Sequence, residues 1–295
     1  MTFLRDDERQ RTVRSDIELD GVGLHSGCQS QIRILPAEAG AGISFRRVDL
    51  TGDNIIRAEP GCVVRSFHGT TIANKAGASV ATIEHLMAAF ALMGVDNAFV
   101  EIDGPELPIL DGSAAPFLQA LAEAGPHNLS APRRALTVSA PLTVADGERS
   151  ITFEPGRSRG LEIDIDFADC LIGRQTLTLD LDRSEDVARI ALARTFCRAS
   201  EVDALRQAGL IRGGSLDNSI VVDGARLLNE HPLRDPSEFA LHKALDLVGD
   251  LHLVGGPFNG RIRAVRPGHD LNVRAALALA EAARDPMRAP MRASA

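Results

Sequence analysis

A metal-binding pattern occurs in the segment SEFALHKALDLVGDL, where His242 and Asp246 are four residues apart. On a helix this spacing places both side chains on one face, and Asp250 extends the same stripe. Imidazole nitrogen and carboxylate oxygen are standard zinc ligands, so both could reach one ion. The same pattern is also typical of an exposed polar helix face, so a metal site requires further ligands from elsewhere in the chain.

Glu84 and His85 are neighbours in the segment TIEHLMAAF, near the start of a predicted helix whose other residues are mostly apolar. Adjacent helical residues point about 100° apart, so one could bind an ion while the other acts as a base for an activated water. The alternative is structural. Glu84 would then favour the positive end of the helix dipole, and His85 would be a hydrogen-bonded core histidine.

His269 lies in the segment RPGHDLN, which predicts a short loop after a strand. Such a loop could project the imidazole into a cleft, although a histidine in a surface turn is the commoner case. Together the three segments would complete one site, because a catalytic zinc needs three protein ligands and an open position. That site would contain the ligands His85, His242 and Asp246, the base Glu84, the second acid–base group His269 and the oxyanion-stabilising cation Lys243.

The composition is that of an ordinary globular protein, with 44% hydrophobic and 24% charged residues among 295. A net charge of −8 argues against a protein that tracks nucleic-acid phosphates. The absence of Trp and Tyr argues against base stacking as a binding mode. The cysteines form no CxxC pair, which argues against a thiolate zinc site or a disulfide framework; they are Cys28, Cys62, Cys170 and Cys197.

The first residues, MTFLRDDERQRTVRSD, are charged and contain no apolar core, so we expect neither a signal peptide nor an anchor there. No stretch approaches the ~18 uncharged apolar residues that would predict a membrane span. We therefore expect a cytoplasmic protein, with a monomer as the default oligomeric state. Residues 286–295 are expected to be a disordered tail.

The first half predicts strands over residues 12–45, where apolar and polar residues alternate around turn glycines. Residues 80–94 have helical spacing and end at Gly94, a plausible cap, and the strand NAFVEID follows. A loop then leads into the helix PFLQALAEAG. The segment GPHNLSAPRR, residues 125–134, is the best candidate for a linker.

The second half predicts strands in ALTVSAPLTV, SITFEP and LEIDIDF, a helix over residues 184–193, and a long helix that starts near Ser237. The apolar segment LHLVGG is predicted to be a strand, and RIRAV to be extended. Both halves thus present a helix, a glycine and an apolar strand in the same order. Because strands and helices do not alternate as regular βαβ units, the fold class is α+β. We place the two domains at residues 1–129 and 130–285.

The sequence resembles the UDP-3-O-acyl-N-acetylglucosamine deacetylase family along nearly its whole length. The motifs that carry the resemblance are GVGLHSG, TIEHLMAAF, GVDN, PILDGSAAPF, ARTF, GGSLDN, LNEHPLRDPSEFALHKALDLVGDL and GHDLN. This resemblance implies two similar domains, each a β-sheet with two helices, with the helices sandwiched between the sheets and with small inserts. It also implies a zinc-dependent hydrolase that removes the N-acetyl group of an acylated UDP-sugar, the committed step of lipid A biosynthesis.

The resemblance also implies roles for individual residues. One Zn²⁺ per chain is bound by His85, His242 and Asp246, and Fe²⁺ is an alternative ion for such a set. Glu84 would be the general base, and His269 an acid or charge stabiliser that Asp250 orients. Lys243 and Thr195 would contact the reacting carbonyl group. Phe196 would line the acyl passage.

Contacts with the UDP group are less constrained by the sequence. We predict that Arg266 and Arg149 contact phosphate and that Phe167 stacks on uracil, although solvated arginines and a core phenylalanine would look the same. An amphipathic insert over residues 193–210 could hold the acyl chain. Two alternative functions remain: a zinc amidase with a different N-acetylated substrate, or a noncatalytic protein with a structural zinc. The second fits poorly, because a structural site has four protein ligands.

Overall fold

The computed structural model describes residues 9–284. Within this range the chain has a mixed α+β fold, as its composition of elements predicts. None of the helices in these residues has the length and apolar character that a bilayer crossing requires. The tail predicted for residues 286–295 lies outside the described residues, so that prediction remains open.

The first half contains nine strands, two α-helices and a short 3-10 helix, Pro60–Cys62, within the described range. The strands are β1 (Arg9–Val13), β2 (Ile17–Val22), β3 (Gln29–Pro36), β4 (Ile43–Arg47), β5 (Ile55–Arg57), β6 (Val63–Arg65), β7 (Thr71–Ala73), β8 (Ser79–Val80) and β9 (Ala98–Ile102). The helices are α1 (Glu84–Met93) and α2 (Ala115–Ala124).

The second half contains nine strands and four helices within the same range. The strands are β10 (Pro126–Pro132), β11 (Leu142–Asp146), β12 (Arg149–Pro155), β13 (Arg159–Phe167), β14 (Gly173–Asp180), β15 (Phe196–Arg198), β16 (Ile220–Asp223), β17 (Arg226–Leu227) and β18 (Gly260–Val265). The helices are α3 (Ser184–Leu192), α4 (Ala199–Gln207), α5 (Glu238–His252) and α6 (His269–Arg284).

The two halves each contain a five-stranded sheet, and the two sheets have the same topology. The strand order is β2-β3-β9-β4-β5 in the first and β11-β12-β18-β13-β14 in the second. In each sheet the last strand of the chain lies in the middle, parallel to one neighbour and antiparallel to the other. The similarity that the sequence predicts between the halves is therefore confirmed as a shared sheet topology.

The helices α1 and α5 pack against each other, and both sheets turn their apolar faces toward one common core. Buried residues alternate with exposed ones along β3 and with partly buried ones along β13, and this alternation produces the apolar faces. At the helix crossing, a Cβ atom on Gly249 would lie only 2.1 Å from the carbonyl oxygen of Glu84. Glycine at this position therefore lets the backbone of α5 approach the first turn of α1.

Two inserts extend from this frame. The first is the three-stranded sheet β6-β7-β8, between β5 and α1. The second lies between β14 and α5 and contains α3, α4 and the three-stranded sheet β15-β16-β17. Each insert immediately precedes the helix that carries the predicted metal ligands, so both inserts can border the site.

The predicted strand LHLVGG is wrong, because α5 continues through His252 and the chain then turns. Short apolar runs do not distinguish a strand from a buried helix, and nearly every residue of α5 is buried. The predicted loop around His269 is also wrong, since His269 begins α6. Pro267 and Gly268 suggest a loop, but they directly precede the helix.

The predicted linker is largely a strand, because Pro126–Pro132 forms β10 and pairs with β1. Its prolines are tolerated because the sheet has only these two strands, so both are edges. The predicted domain boundary between residues 129 and 130 falls inside β10. The predicted helix over residues 80–94 begins later, at Glu84, but its end is confirmed: Gly94 caps it with a φ of 76°.

Candidate functional site

Three potential metal ligands meet where α1 and α5 cross. His85 comes from the first turn of α1, and His242 and Asp246 come from one face of α5. One ligand atom from each residue lies within 4.8 Å of the others, and all three residues are buried. The i,i+4 spacing brings Nε2 of His242 to 3.3 Å from Oδ1 of Asp246. This group could therefore hold a metal ion.

The hydrogen bonds around these residues fit a metal. Nδ1 of His242 lies 3.1 Å from the carbonyl oxygen of Ala193, which can only accept, so Nδ1 carries the proton and Nε2 keeps its lone pair. Nδ1 of His85 and Oδ1 of Asp246 are buried without a hydrogen-bond partner among the described residues. Buried polar atoms seldom lack partners, so a metal is a reasonable occupant.

The ionisation of these groups also suits metal binding. Burial and the neighbouring His242 lower the pKa of His85 to about 3, so its imidazole is neutral at pH 7. Burial alone would raise the pKa of Asp246, but His242 and the ammonium group of Lys243 outweigh it and hold that pKa below its usual range. A neutral imidazole and an ionised carboxylate are the forms that bind metals.

Glu84 lies beside this group and is only 3% exposed. Its Oε2 accepts a hydrogen bond from the backbone N–H of Thr70 at 2.9 Å. Burial, together with the charges of Asp250 and Asp246, raises the pKa of Glu84 to about 7 against the opposing effect of His269. A carboxylate with a pKa near the working pH is suited to accept and release a proton.

His269 forms a hydrogen-bonded pair with Asp250. Nδ1 of His269 donates to Oδ2 of Asp250 at 2.9 Å, while Nε2 lies 4.0 Å from Oε1 of Glu84. Burial alone would lower the pKa of His269, but the carboxylates of Asp250 and Asp246 raise it to about 10. The imidazole is therefore cationic at pH 7, with a proton on the nitrogen that faces Glu84.

Lys243 and Thr195 border the same cavity, whose volume is about 400 Å³. The Lys243 ammonium donates to Oδ2 of Asp246 at 2.7 Å and lies 5.4 Å from the centre of the Phe196 ring. The backbone N–H of Thr195 donates to the carbonyl oxygen of Gly112 at 2.7 Å, so a loop of the first half holds Thr195. The apolar part of the lining is Leu24, Phe67, Phe196, Val202, Leu205, Ile211, Leu216 and Val221.

Three residues that were predicted to contact the substrate are not among the described residues that line this cavity. Arg149 makes two hydrogen bonds to Asp270, at 2.9 and 2.6 Å. Arg266 bridges Glu148 and Asp166, each at 2.7 Å. The ring of Phe167 packs edge-on against Phe196, with centroids 5.8 Å apart. These three remain predictions.

The structure adds to the site several residues for which no role was predicted. His25, Phe67, His68 and Thr82 line the cavity, and the buried Thr70 contacts its acid–base groups. His25 comes from the GVGLHSG motif, and the glycines around it were an available signal. Thr70 had none, because the residue that its hydroxyl contacts is 180 positions away.

Comparisons with known proteins show which family this chain is similar to. Residues 10–281 match the family model described as "LpxC: UDP-3-O-acyl N-acetylglycosamine deacetylase". A protein of Phenylobacterium zucineum named UDP-3-O-acyl-N-acetylglucosamine deacetylase is 45% identical over 92% of this chain and 93% of its own. Proteins of the same name are 44% identical in Acidithiobacillus ferrooxidans, over 90% and 87%, and 40% identical in Vibrio parahaemolyticus, over 93% and 92%.

The resemblance that the motifs suggested is thus confirmed over most of the chain. The match extends across both five-stranded sheets and across the segments that carry His85, His242, Asp246 and His269. The chain belongs to the UDP-3-O-acyl N-acetylglycosamine deacetylase family.

Proposed function

We propose that this chain is a zinc-dependent deacetylase that hydrolyses the N-acetyl group of UDP-3-O-(3-hydroxyacyl)-N-acetylglucosamine. The products would be acetate and UDP-3-O-acyl-glucosamine, in the committed step of lipid A biosynthesis. The observation that carries the proposal is the meeting of a buried His₂Asp group with Glu84 and His269 in one cavity. The family and the names of the relatives support the substrate.

Zinc suits the ligand group formed by His85, His242 and Asp246, because two imidazoles and a carboxylate leave one position open for chemistry. Fe²⁺ is an alternative occupant, since the same donors bind both ions. When bound, the ion would supply a Lewis acid that polarises the acetamide carbonyl and acidifies the attacking water.

Glu84 is the proposed general base. Its carboxylate lies at the edge of the ligand group and takes a proton from the attacking water. The raised pKa of about 7 keeps Glu84 able both to accept that proton and to release it later.

His269 is the proposed acid. Asp250 holds its Nδ1 proton and so directs Nε2 into the cavity. Because the pKa of His269 is about 10, Nε2 carries a proton at pH 7 that it can donate to the departing amine. The same positive charge stabilises negative charge that develops on the substrate.

Lys243 and Thr195 are the proposed partners of the carbonyl oxygen. Both border the cavity, and each offers a donor for the tetrahedral oxyanion. Lys243 would have to share its ammonium group with Asp246, to which it donates at 2.7 Å.

For the rest of the substrate, we propose that the apolar lining that includes Phe196 receives the acyl chain. Arg149 and Arg266 remain proposed phosphate contacts, and each would have to exchange a carboxylate partner for phosphate. Phe167 remains a proposed uracil contact. A cytoplasmic, monomeric enzyme remains our expectation.

Acetate release tests the proposal most directly. Purified protein should release acetate from UDP-3-O-(3-hydroxyacyl)-N-acetylglucosamine, lose activity with a chelator and regain it with Zn²⁺. A panel of N-acetylated nucleotide sugars, with and without the acyl chain, tests the substrate. Acetate release from another panel member alone would favour the alternative amidase. No release from any would favour a noncatalytic zinc protein.

A further inference from the structure

Thr70 lies in the loop between β6 and β7 of the first insert and is fully buried against the two crossing helices. Its backbone N–H, its hydroxyl and its carbonyl oxygen each form a hydrogen bond with a different residue. The backbone N–H donates to Oε2 of Glu84 on α1 at 2.9 Å, and the hydroxyl donates to Oδ1 of Asp250 on α5 at 2.5 Å. The carbonyl oxygen accepts from the N–H of Ile83 at 3.3 Å. Thr70 therefore connects Glu84, the proposed base, with Asp250, the carboxylate that orients the proposed acid His269.

The hydroxyl of Thr70 has a single proton, and the surrounding groups fix its direction. A carboxylate accepts, so this proton goes to Asp250. Nδ1 of His269 lies 3.4 Å from the same hydroxyl but already donates to Oδ2 of Asp250. Asn272 also donates to Oδ2, at 2.9 Å. Thr70 is thus the hydrogen-bond donor on the other oxygen, Oδ1, within the described part of the chain.

The neighbouring residue holds Thr70 in this place. Gly69 has a φ of 144°, in the region that favours glycine. A Cβ atom at Gly69 would lie 3.2 Å from Oε1 of Glu84, so a side chain there would crowd the carboxylate. The backbone at residues 69 and 70 therefore lies directly against Glu84, with little room for a side chain at Gly69.

We propose that Thr70 is a positioning residue that fixes Glu84 relative to the His269–Asp250 pair. Its hydroxyl orients Asp250, which in turn orients His269, while its backbone N–H orients Glu84. This inference rests on the proposed function, in which Glu84 and His269 move protons to and from one substrate. Thr70 itself does not line the cavity and does not contact the substrate.

Two pairs of variants separate the hydroxyl from the packing of the side chain. Thr70→Val keeps the shape of the side chain and removes the hydroxyl, whereas Thr70→Ser keeps the hydroxyl and removes the methyl group. Thr70→Ala differs from Thr70→Ser by the hydroxyl alone, so the Ser and Ala pair carries the test if the Val variant does not fold. Zinc content and the melting temperature are measured for each variant.

Thr70→Val should lower kcat by about 10- to 100-fold, the loss expected for one hydrogen bond to a charged group. KM should stay within about threefold, because the substrate-binding surface is unchanged, and zinc content should be that of the wild type. Thr70→Ser should keep kcat within about threefold. Equal losses in the Val and Ser variants, or wild-type kcat in the Val variant, would overturn the inference.

A double-mutant cycle with Asp250→Asn tests whether Thr70 acts through Asp250. In that background, Thr70→Val should lower kcat by less than about threefold, because the carboxylate that the hydroxyl orients is already gone. Full additivity of the two losses would contradict the inference.

A measurement without substrate separates this inference from the proposed function. In metal-depleted protein, the Nδ1–H proton of His269 is identified by NMR through its loss in His269→Gln. Its resonance should shift in Thr70→Val and remain in place in Thr70→Ser; an unchanged resonance in both variants would refute the positioning role. If the wild type releases no acetate, the proposed function fails, but this resonance still reports on Thr70.

Discussion

Helix α5 contributes buried ionisable groups to two clusters, and the two clusters differ in whether their buried polar atoms have hydrogen-bond partners. Along one face of its central and last turns, Asp246 and Asp250 meet Glu84 and three histidines in the candidate site, His85, His242 and His269. There, Oδ1 of Asp246 and Nδ1 of His85 lack partners among the described residues. Three carboxylates lie close together, and the pKa of Glu84 is raised to about 7 as a result of burial and of this crowding.

At the C-terminal end of α5, His252 meets a second buried cluster, formed with Asp96 and Arg133. Asp96 accepts hydrogen bonds on both oxygens, from Nε of Arg133 at 2.6 Å and from the backbone N–H of Arg11 at 2.8 Å. Nε2 of His252 donates to the carbonyl oxygen of Val95 at 3.0 Å. Among the fully buried side-chain nitrogen and oxygen atoms of this cluster in residues 9–284, only Nη1 of Arg133 has no hydrogen-bond partner.

The difference teaches that burial alone does not identify a functional site. Both clusters are buried, but the end cluster pairs a carboxylate with a guanidinium group and so supports the structure. The central cluster gathers groups of like charge and leaves ligand atoms unpaired, which costs stability unless a ligand compensates. We therefore expect substitutions to affect chemistry in the central cluster and folding stability in the end cluster.

The largest contrast should come from two histidines of the same helix. His242→Ala removes a proposed ligand, so it should lose bound metal and nearly all acetate release. His252→Gln should keep stoichiometric metal and turnover within about threefold, since only a hydrogen bond worth about 1 kcal/mol changes. Metal content after dialysis and acetate release measure both. Stoichiometric metal in His242→Ala would show that His242 is not a ligand and would contradict the assignment of metal binding to the central cluster alone.

Glu84→Gln should lower kcat by about 10²- to 10⁴-fold, the usual contribution of a general base. Metal content should be unchanged, because Glu84 is not a proposed ligand. The melting temperature should be equal or higher, since the change removes a carboxylate whose ionisation burial opposes. Steady-state kinetics and calorimetry measure the two effects. Full turnover in this variant would exclude Glu84 as the base.

Asp96→Asn should act in the opposite way. It leaves Arg133 buried without its carboxylate, which should lower the free energy of unfolding by about 3–5 kcal/mol. Turnover per folded molecule should remain close to that of the wild type. Urea unfolding and acetate release at low temperature measure the two. A large loss of turnover with unchanged stability would mean that the end cluster serves the chemistry.

The smallest effect is a pH dependence that His252 contributes. Burial, with help from Arg133, lowers the pKa of His252 in the folded protein to about 4 from 6.5. Between these values the unfolded chain binds more protons, so the free energy of unfolding falls as the pH drops from 6.5 to about 4. The fall should be about 3 kcal/mol, and His252→Gln should remove it. Urea unfolding of both metal-free proteins across this range checks the difference; parallel curves would exclude it.

The parts of the site that follow from local sequence are those that were predictable. The spacing of His242 and Asp246 gave the shared helix face, and Gly94 gave the end of α1. The start of α1 was less readable, because Val80 continues the apolar pattern although it lies in β8. Pro267 and Gly268 favoured a loop at His269, so the local sequence did not indicate that α6 begins at that residue.

The remaining parts depend on contacts between distant segments, which spacing does not encode. Spacing does not show that His85 and His242 meet, since the two residues lie in different halves. Their complementary chemistry suggested one site, and the family resemblance supported it. Thr70 joins Asp250 across 180 positions, and Gly249 permits the crossing without any local sign of it. The partners of Arg149 and Arg266 likewise depend on how β12 and β18 pair.

The central position of β9 and β18 in their sheets has a consequence for synthesis of the protein on the ribosome. Each sheet is complete only when its last strand inserts between strands made earlier, at residue 102 for the first sheet and 265 for the second. Because N-terminal segments emerge first, α1 is complete well before α5 exists to cover it. A growing chain therefore carries an exposed apolar helix face, the kind of surface that makes partly synthesised proteins prone to aggregate.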